Sequence, residues 1–301
     1  MNKIALVFPG QGSQYVGMGK DIYEIATAKQ IIDRSNEILG FDIKSLMFNG
    51  PEEKLTDTRN AQPAIVTLSI ALFYLLKEKV DLKFEGVAGH SLGEYSAYIA
   101  SGRLSFEDGI KLVKERGHLM SEVEPGKGGM AAVMRIDDEE VEKICSNYDK
   151  VVPANYNCPG QIVISGDKKQ MDEVIEKIKE KGGRAIPLSV SGAFHSPLMK
   201  DAAKKFREAL NLVNFNKSDI SLYSNVNALP VKDGEERELL EKQIYSSVRW
   251  TQTINNMIKD GFTTFIEVGP GKVLTGLIKK INKDVTVFNI SDIASLNSFK
   301  L

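Results

Sequence analysis

The stretch GVAGHSLGEYSAYIASG, residues 86–102, sets a serine between two glycines: Gly89, His90, Ser91, Leu92, Gly93. A short strand-like run leads into it and a helix-like run leads out. In that context the glycines relieve crowding at a sharp turn, and the serine projects from it as a nucleophile. The helix N-terminus then puts backbone N–H groups and a partial positive charge beside the serine, where they can stabilise an oxyanion. The same five residues also fit a tight turn that simply needs small side chains. The motif alone does not separate the two readings.

A serine hydroxyl needs a base to become nucleophilic. The chain offers three histidines. His90 adjoins Ser91, and at a tight turn neighbouring side chains diverge, so it is placed at the substrate edge rather than as the base. His118 lies on a helix opening near Ser105. At ~100° per residue it falls with Lys111, Lys114 and Glu115, opposite Phe106, Ile110, Val113 and Met120, and is therefore solvated. His195 sits in the loop SGAFHSPLM, ahead of Ser196 and Pro197, which read as an N-cap and a first helical position. A nearby helix N-terminus disfavours imidazolium, so His195 is the preferred base, against a purely structural loop histidine. On the wheel that exposes His118, Arg116 falls inside the apolar arc, between Leu112, Val113, Leu119 and Met120. A buried guanidinium requires a partner. The plain readings are a structural salt bridge or a side chain that snorkels to solvent; beside an acylating serine, the partner is instead a substrate carboxylate gripped by two N–H groups.

The elements that must position these residues read as an α/β protein. KIALVFPG (residues 3–10) is a buried strand entering a glycine-rich turn. Helical patterns follow over 22–39 and 64–77, FEGVAGHS is a second strand, and a capping box of Ser105 and Asp108 opens the helix carrying Arg116. Alternation of strands and helices points to a parallel sheet. The middle of the chain differs: its order is βαββαβ over about 65 residues, the ferredoxin-like pattern. It lies between EPGKGG and SGAFHSP. The expected division is a large core over 1–125 and 194–301 with a small subdomain at 126–193. Two helices, the strand TTFIEVGPG and a helix from Val273 follow.

Composition sets outer limits. The 301 residues are 42% hydrophobic and 26% charged, with a formal net charge of −1. Nothing global attracts nucleic acid or an anionic membrane. The amino-terminal apolar run is too short for a secretory segment, and no apolar run approaches the ~18 residues of a membrane span. Cys145 and Cys158 make neither a disulfide framework nor a metal site and read as structural. A cytoplasmic location and a monomer are expected. GQGSQYVGMG lacks both the P-loop lysine and the dinucleotide-binding glycine spacing, and tight packing of the turn explains its glycines.

Taken together, FPGQGSQ, AQPA, GHSLGEYSA, GAFHSPLM and VGPGKVL, in this order and over nearly the whole chain, resemble the malonyl-CoA:acyl carrier protein transacylases. The resemblance implies a hydrolase-like parallel-sheet core with an inserted ferredoxin-like subdomain. It implies Ser91 as the acylated nucleophile and His195 as its base. The backbone N–H groups of Gln11 and Leu92 would form the oxyanion hole, and Arg116 would hold the malonyl carboxylate. The carbonyl of Arg249, in SVRW, would orient His195; many relatives carry glutamine at that position. Gln62 would line the pocket with His90 and Met120, Asn155 and Asn157 would contact the thioester substrate, and Phe194 matches the pairing of malonyl-preferring members.

These assignments imply a ping-pong transfer of malonyl from malonyl-CoA to the phosphopantetheine thiol of acyl carrier protein, in type II fatty-acid synthesis and with no metal or redox cofactor. Carrier proteins are generally acidic, so basic residues should border the cleft: Lys200, Lys204, Lys205 and Arg207, or Lys279, Lys280 and Lys283. An alternative is a serine esterase or thioesterase, but α/β-hydrolases place histidine near the end of the chain, and no histidine follows His195. A second is a catalytically silent carrier-protein-binding module, which would have no need of Ser91, His195 and Arg116 together.

Overall fold

The computed structural model describes residues 3–123, 126–188, 190 and 192–301. Met1, Asn2, Glu124 and Pro125 at the EPGKGG junction, Ser189 in the expected strand RAIPLSV and Ser191 at the head of SGAFHSP lie outside the described residues. The remainder forms nine strands: β1 (Lys3–Phe8), β2 (Gly86–Gly89), β3 (Gly128–Met134), β4 (Val151–Cys158), β5 (Gln161–Asp167), β6 (Arg184–Pro187), β7 (Ser221–Tyr223), β8 (Phe262–Val268) and β9 (Thr286–Ile290).

Five of them make a parallel sheet in the order β7-β2-β1-β8-β9. Its central strand is buried on both faces, which is why β1 reads as an unbroken apolar run rather than an alternating one. Leu6 and Phe8 join the core beneath the helices Thr58–Lys79, Gly93–Ala100 and Phe106–Glu122. Ala5 and Val7 point the other way, toward Trp250, Ile254 and Met257 of the helix Trp250–Lys259 and Leu274 and Ile278 of the helix Val273–Ile281.

The other four strands make an antiparallel sheet in the order β4-β5-β3-β6, the ferredoxin-like arrangement expected of βαββαβ. It has its own core, Val133, Val141, Ile162, Ile164, Val174 and Ile178 among it. A backbone splice fixes it to the larger unit: Val248 N–H donates to Ala154 O at 2.8 Å, and Tyr156 N–H donates to Val248 O at 2.9 Å. The outer edge of β4 is thus held against the segment that follows the helix Glu236–Gln243.

Several details differ from the sequence reading. The helix expected from Ala64 begins at Thr58, capped by Asp57, and carries Pro63 within it. This moves Gln62 from a loop onto a helix. Only one half of the expected capping box forms: Ser105 Oγ accepts from Asp108 N–H at 3.1 Å, while the Asp108 carboxylate turns to Lys111. The stretch between His195 and β8 holds three helices rather than two, Lys200–Asn211, Glu236–Gln243 and Trp250–Lys259, together with β7. Beyond the helix from Val273 lie β9 and a short helix, Ile293–Ser298.

Candidate active site

Ser91 sits where β2 ends against the helix Gly93–Ala100, and its φ is +50°. A side chain held in that left-handed region costs about 1–3 kcal/mol and persists only where the surroundings enforce it. The flanking glycines are what allow the turn. A Cβ at Gly89 would lie 1.9 Å from the carbonyl carbon of Gly93, and one at Gly93 would lie 2.0 Å from Phe8 O. Both are backbone clashes that no rotamer relieves. The turn itself is clamped from both sides: Ser91 N–H donates to Asn225 Oδ1 at 2.7 Å, and Ser91 O accepts from Gln243 Nε2 at 2.8 Å.

His195 meets the serine from the opposite side, from the loop that leaves the small sheet. Its Nε2 lies 2.7 Å from Ser91 Oγ, and its Nδ1 lies 2.8 Å from the backbone carbonyl of Gln243. A carbonyl only accepts, so Nδ1 carries the proton and Nε2 is the free base facing the hydroxyl. Burial, reinforced by the nearby Arg116 cation, holds the imidazole far below its usual range, at about 3. The orienting carbonyl is therefore that of Gln243, not Arg249 as the sequence suggested. The Arg249 carbonyl is engaged by the N–H and hydroxyl of Thr253, at the start of the helix Trp250–Lys259.

Arg116 is 1% exposed and lies directly behind the serine. Its Nη2 donates to Ser91 Oγ at 3.1 Å and to Gln243 Oε1 at 3.0 Å, and its Nη1 donates to Gln62 Oε1 at 2.8 Å. Its guanidinium carbon stands 5.4 Å from the centre of the Tyr95 ring. No carboxylate comes within ion-pair distance of it among the described residues, which rules the structural salt bridge out there. Burial lowers its pKa, and Tyr95 and Glu94 offset part of that. The cation is held by neutral amide oxygens, with Nη1 keeping one N–H beyond its bond to Gln62.

The serine opens into a cavity of about 460 Å³ between the two sheets. Gln11, His90, Arg116, Met120, Asn155, Asn157, Phe194 and His195 line it with Ser91. Its farther walls are apolar, from Met130, Val163 and Leu188 on the small-sheet side to Val273 and Leu277 on the other. His90 is fixed edge-on to Trp250, and its Nε2–H donates to Asn157 Oδ1 at 2.8 Å, so it faces away from Ser91 Oγ as expected. Gln62 does not line the wall. It is fully buried behind Arg116 and reaches the site through that guanidinium and through Met120, whose sulfur accepts from Gln62 Nε2 at 3.8 Å. The backbone N–H groups of Gln11 and Leu92 donate to nothing among the described residues, while the Gln11 side chain is tied to Thr58 Oγ1 at 3.0 Å. His118 lies at the surface beside Glu122.

Three residues that build the site were not singled out from sequence: Gln243, Asn225 and Glu94. Glu94 carried a signal, since it is the one charged residue on the helix GEYSAYIA. Gln243 and Asn225 carried none, because their roles depend on where the end of the helix Glu236–Gln243 and the loop after β7 return to the serine.

Residues 5–299 match the family described as the acyl transferase domain. The chain is 47% identical over 300 residues to the malonyl CoA-acyl carrier protein transacylase of Bacillus subtilis, covering 97% of this chain and 94% of that one. Its fold superposes with a TM-score of 0.94 on the malonyl CoA-acyl carrier protein transacylase of Clostridium perfringens, at 46% identity, covering 98% and 95% of the two chains. It superposes with a TM-score of 0.95 on a malonyl-transacylase solved with a type II PKS acyl-carrier protein, at 37% identity, covering 99% and 98%.

Proposed function

Since the chain belongs to the acyl transferase family, we propose that it moves a malonyl group from malonyl-CoA to the phosphopantetheine thiol of an acyl carrier protein through a malonyl-serine. The observation that carries this reading is the buried cation beside the nucleophile. Arg116 touches Ser91 Oγ yet has no anionic partner within ion-pair distance among the described residues. An acyl group that brings its own carboxylate supplies the missing charge, and malonyl is the shortest common acyl group that does so while keeping its thioester carbon within reach of Ser91.

In the first half-reaction His195 Nε2 takes the Ser91 proton as Oγ attacks the thioester carbonyl. The tetrahedral oxyanion is received by the amides of Gln11 and Leu92. The imidazolium formed is held by the Gln243 carbonyl and returns its proton to the leaving coenzyme A thiolate. In the second half-reaction His195 deprotonates the carrier-protein thiol, which attacks malonyl-Ser91, and the serine is regenerated with its proton. Asn155 and Asn157 contact the pantetheine arm, and Phe194 and Met120 bound the space beside the acyl group. Coenzyme A and phosphopantetheine enter as parts of the substrates, and no metal or redox cofactor is assigned a step.

The setting is type II fatty-acid synthesis in the cytoplasm, with the enzyme acting as a monomer. Among the described residues no helix is long and apolar enough to cross a membrane. The test is intact-mass analysis after mixing with malonyl-CoA or acetyl-CoA. A malonyl adduct on the wild type that is absent from Ser91→Ala supports the reading, and equal loading of the two donors overturns the role of Arg116.

A further inference from the structure

We propose that Glu94 is a positioning residue for this reaction: its carboxyl group anchors the two residues that grip the Ser91 backbone from either side. Glu94 is fully buried in the first turn of the helix that follows the nucleophile. Its Oε2 accepts from Gln243 Nε2 at 2.8 Å and from Asn225 N–H at 3.2 Å. Each of those residues in turn holds one side of Ser91. The Gln243 amide donates its other N–H to Ser91 O, and the Asn225 side chain accepts from Ser91 N–H while donating to Gly89 O at 2.7 Å.

The arrangement answers a physical need. Ser91 is held in a backbone conformation that relaxes if its clamps loosen, and relaxation swings Oγ away from His195 Nε2. Gln243 has two further duties, since its side-chain oxygen accepts from Arg116 and its backbone carbonyl holds His195. Once both N–H groups of its amide are committed, to Ser91 O and to Glu94, the amide oxygen must face Arg116. A flipped amide would point N–H groups at a cation. One carboxyl group thereby ties nucleophile, base and substrate-binding cation into a single frame without touching the reacting atoms. Burial pushes the Glu94 carboxyl up to about 7. Oε2 can accept in either protonation state, so the anchoring depends on an acceptor at that position rather than on a charge.

This inference rests on Ser91 being the nucleophile, and its test separates the two. The probe is a small alkyl fluorophosphonate, which reacts with an activated serine and needs neither Arg116 nor malonyl-CoA. Labelling of wild-type protein at Ser91, mapped by peptide mass, tests the nucleophile itself. Against that reference, Glu94→Ala should lower the second-order labelling rate per folded molecule by about 10- to 100-fold, the range for losing a hydrogen-bonded anchor. Glu94→Gln, which keeps an oxygen acceptor, should stay within about threefold. In a Gln243→Ala, Asn225→Ala background, Glu94→Ala should cost little more, because residues acting through one another are not additive.

A purely structural Glu94 gives a different pattern. Thermal stability falls while the folded fraction labels at the wild-type rate, or the losses add in the triple variant, and either result overturns the proposal. Glu94→Met fills the same space without an oxygen acceptor and serves if the alanine variant does not fold. Wild-type labelling by both Gln243→Ala and Asn225→Ala would also overturn it.

Discussion

Arg116 Nη2 donates to Ser91 Oγ across 3.1 Å while the same hydroxyl faces His195 Nε2 at 2.7 Å. The nucleophile thus receives a hydrogen bond from a buried cation and gives one to a neutral base, which favours the developing alkoxide before any substrate binds. On the proposed reading the same guanidinium receives the malonyl carboxylate, so that nucleophile activation and acyl selection would share one side chain.

That sharing sets the effect of removing it. Breaking one partner of a buried charge pair costs about 2–5 kcal/mol, or roughly 30- to several-thousand-fold in rate. Arg116→Ala should lose malonyl loading by such a factor. Acetyl loading should hold within about tenfold, because the cation also depresses the basicity of His195 and its removal returns basicity to the imidazole. Arg116→Lys should recover only part of the malonyl rate, since an ammonium cannot reach Gln62, Gln243 and the substrate in one plane. The ratio of malonyl to acetyl acylation on Ser91 is the measurement, and an unchanged ratio in Arg116→Ala would remove the arginine from acyl selection.

The nucleophile has a simpler test. Ser91→Ala should abolish both the acyl-enzyme and transfer to carrier protein while leaving the fold intact. A variant that still accumulates a malonyl adduct at normal rates would place the nucleophile elsewhere.

What the sequence made legible here was whatever depends on local chain direction. The elbow around Ser91, the arc that buries Arg116, the exposure of His118 and the βαββαβ order all follow from spacing and from small residues at turns. The carbonyl that orients His195 does not. Arg249 and Gln243 lie six residues apart on one irregular segment, and the choice between them depends on where the helix Glu236–Gln243 ends relative to a loop nearly fifty residues earlier. Gln62 was misplaced because the helical pattern was read only from Ala64, whereas the helix starts at Thr58 and runs through Pro63. The strands β7 and β9 escaped notice because three residues give no period to read, and because TVFNI, with Thr286 and Asn289 among its five residues, neither alternates nor runs unbroken apolar.

The elbow glycine Gly93 and the strand glycine Gly129 differ in what a methyl group would meet. At Gly93 it would strike Phe8 O at 2.0 Å and Phe8 C at 2.7 Å, both on the rigid central strand. At Gly129 in β3 it would meet nothing within 4 Å. Gly93→Ala should therefore cost at least the roughly 1–3 kcal/mol of an overpacked core and lose acylation. Gly129→Ala should change stability by no more than about 0.5 kcal/mol. Denaturant midpoints for the two variants make the comparison, and equal midpoints would show that the elbow is less constrained than its contacts require.

Two buried groups bias stability against pH in opposite senses. His195 is held at about 3, below its unfolded value near 6.5, so the unfolded chain binds more protons between these limits. Its contribution is present above pH 6.5 and is lost as pH falls toward 3. Glu94 is raised from 4.5 to about 7, so the folded chain binds more protons in that window, and stability from this group falls as pH rises through it. Glu94→Gln removes the second slope alone. Its stability relative to wild type should grow between pH 4.5 and 7, by at most about 1.4 kcal/mol per pH unit. Urea unfolding across that range is the measurement, and a constant difference would mean that Glu94 does not titrate there. For catalysis, the depressed His195 keeps its base form, so the malonyl-loading rate of the free enzyme should show no acid limb centred near 6.5.

The last expectation concerns carrier-protein docking. Of the basic residues expected to border the cleft, several are already engaged: Lys204 with Asp201, Arg207 with Glu241, and Lys279 with the carbonyls of Lys283 and Val285 beyond the end of its helix. Lys200 and Lys205 are exposed on the helix that follows His195 and border a second cavity with Leu119, Val123, Pro197 and Leu198. They form no ion pair among the described residues, and the loop they adjoin carries the base of the reaction. Charges at the rim of an interface act mainly on association rate and its salt dependence. The double reversal Lys200→Glu, Lys205→Glu should therefore slow malonyl transfer to an acidic carrier protein and flatten its dependence on salt, while acylation of Ser91 by malonyl-CoA proceeds at the wild-type rate. Reversal of Lys280 and Lys283, in the second basic cluster at and beyond the end of the helix Val273–Ile281, is the matched comparison. Stopped-flow measurement of each half-reaction at several ionic strengths separates them. If the Lys200, Lys205 variant transfers to carrier protein as fast as wild type at low salt, the docking surface lies elsewhere. If it slows both half-reactions alike, the two lysines serve coenzyme A rather than the carrier protein.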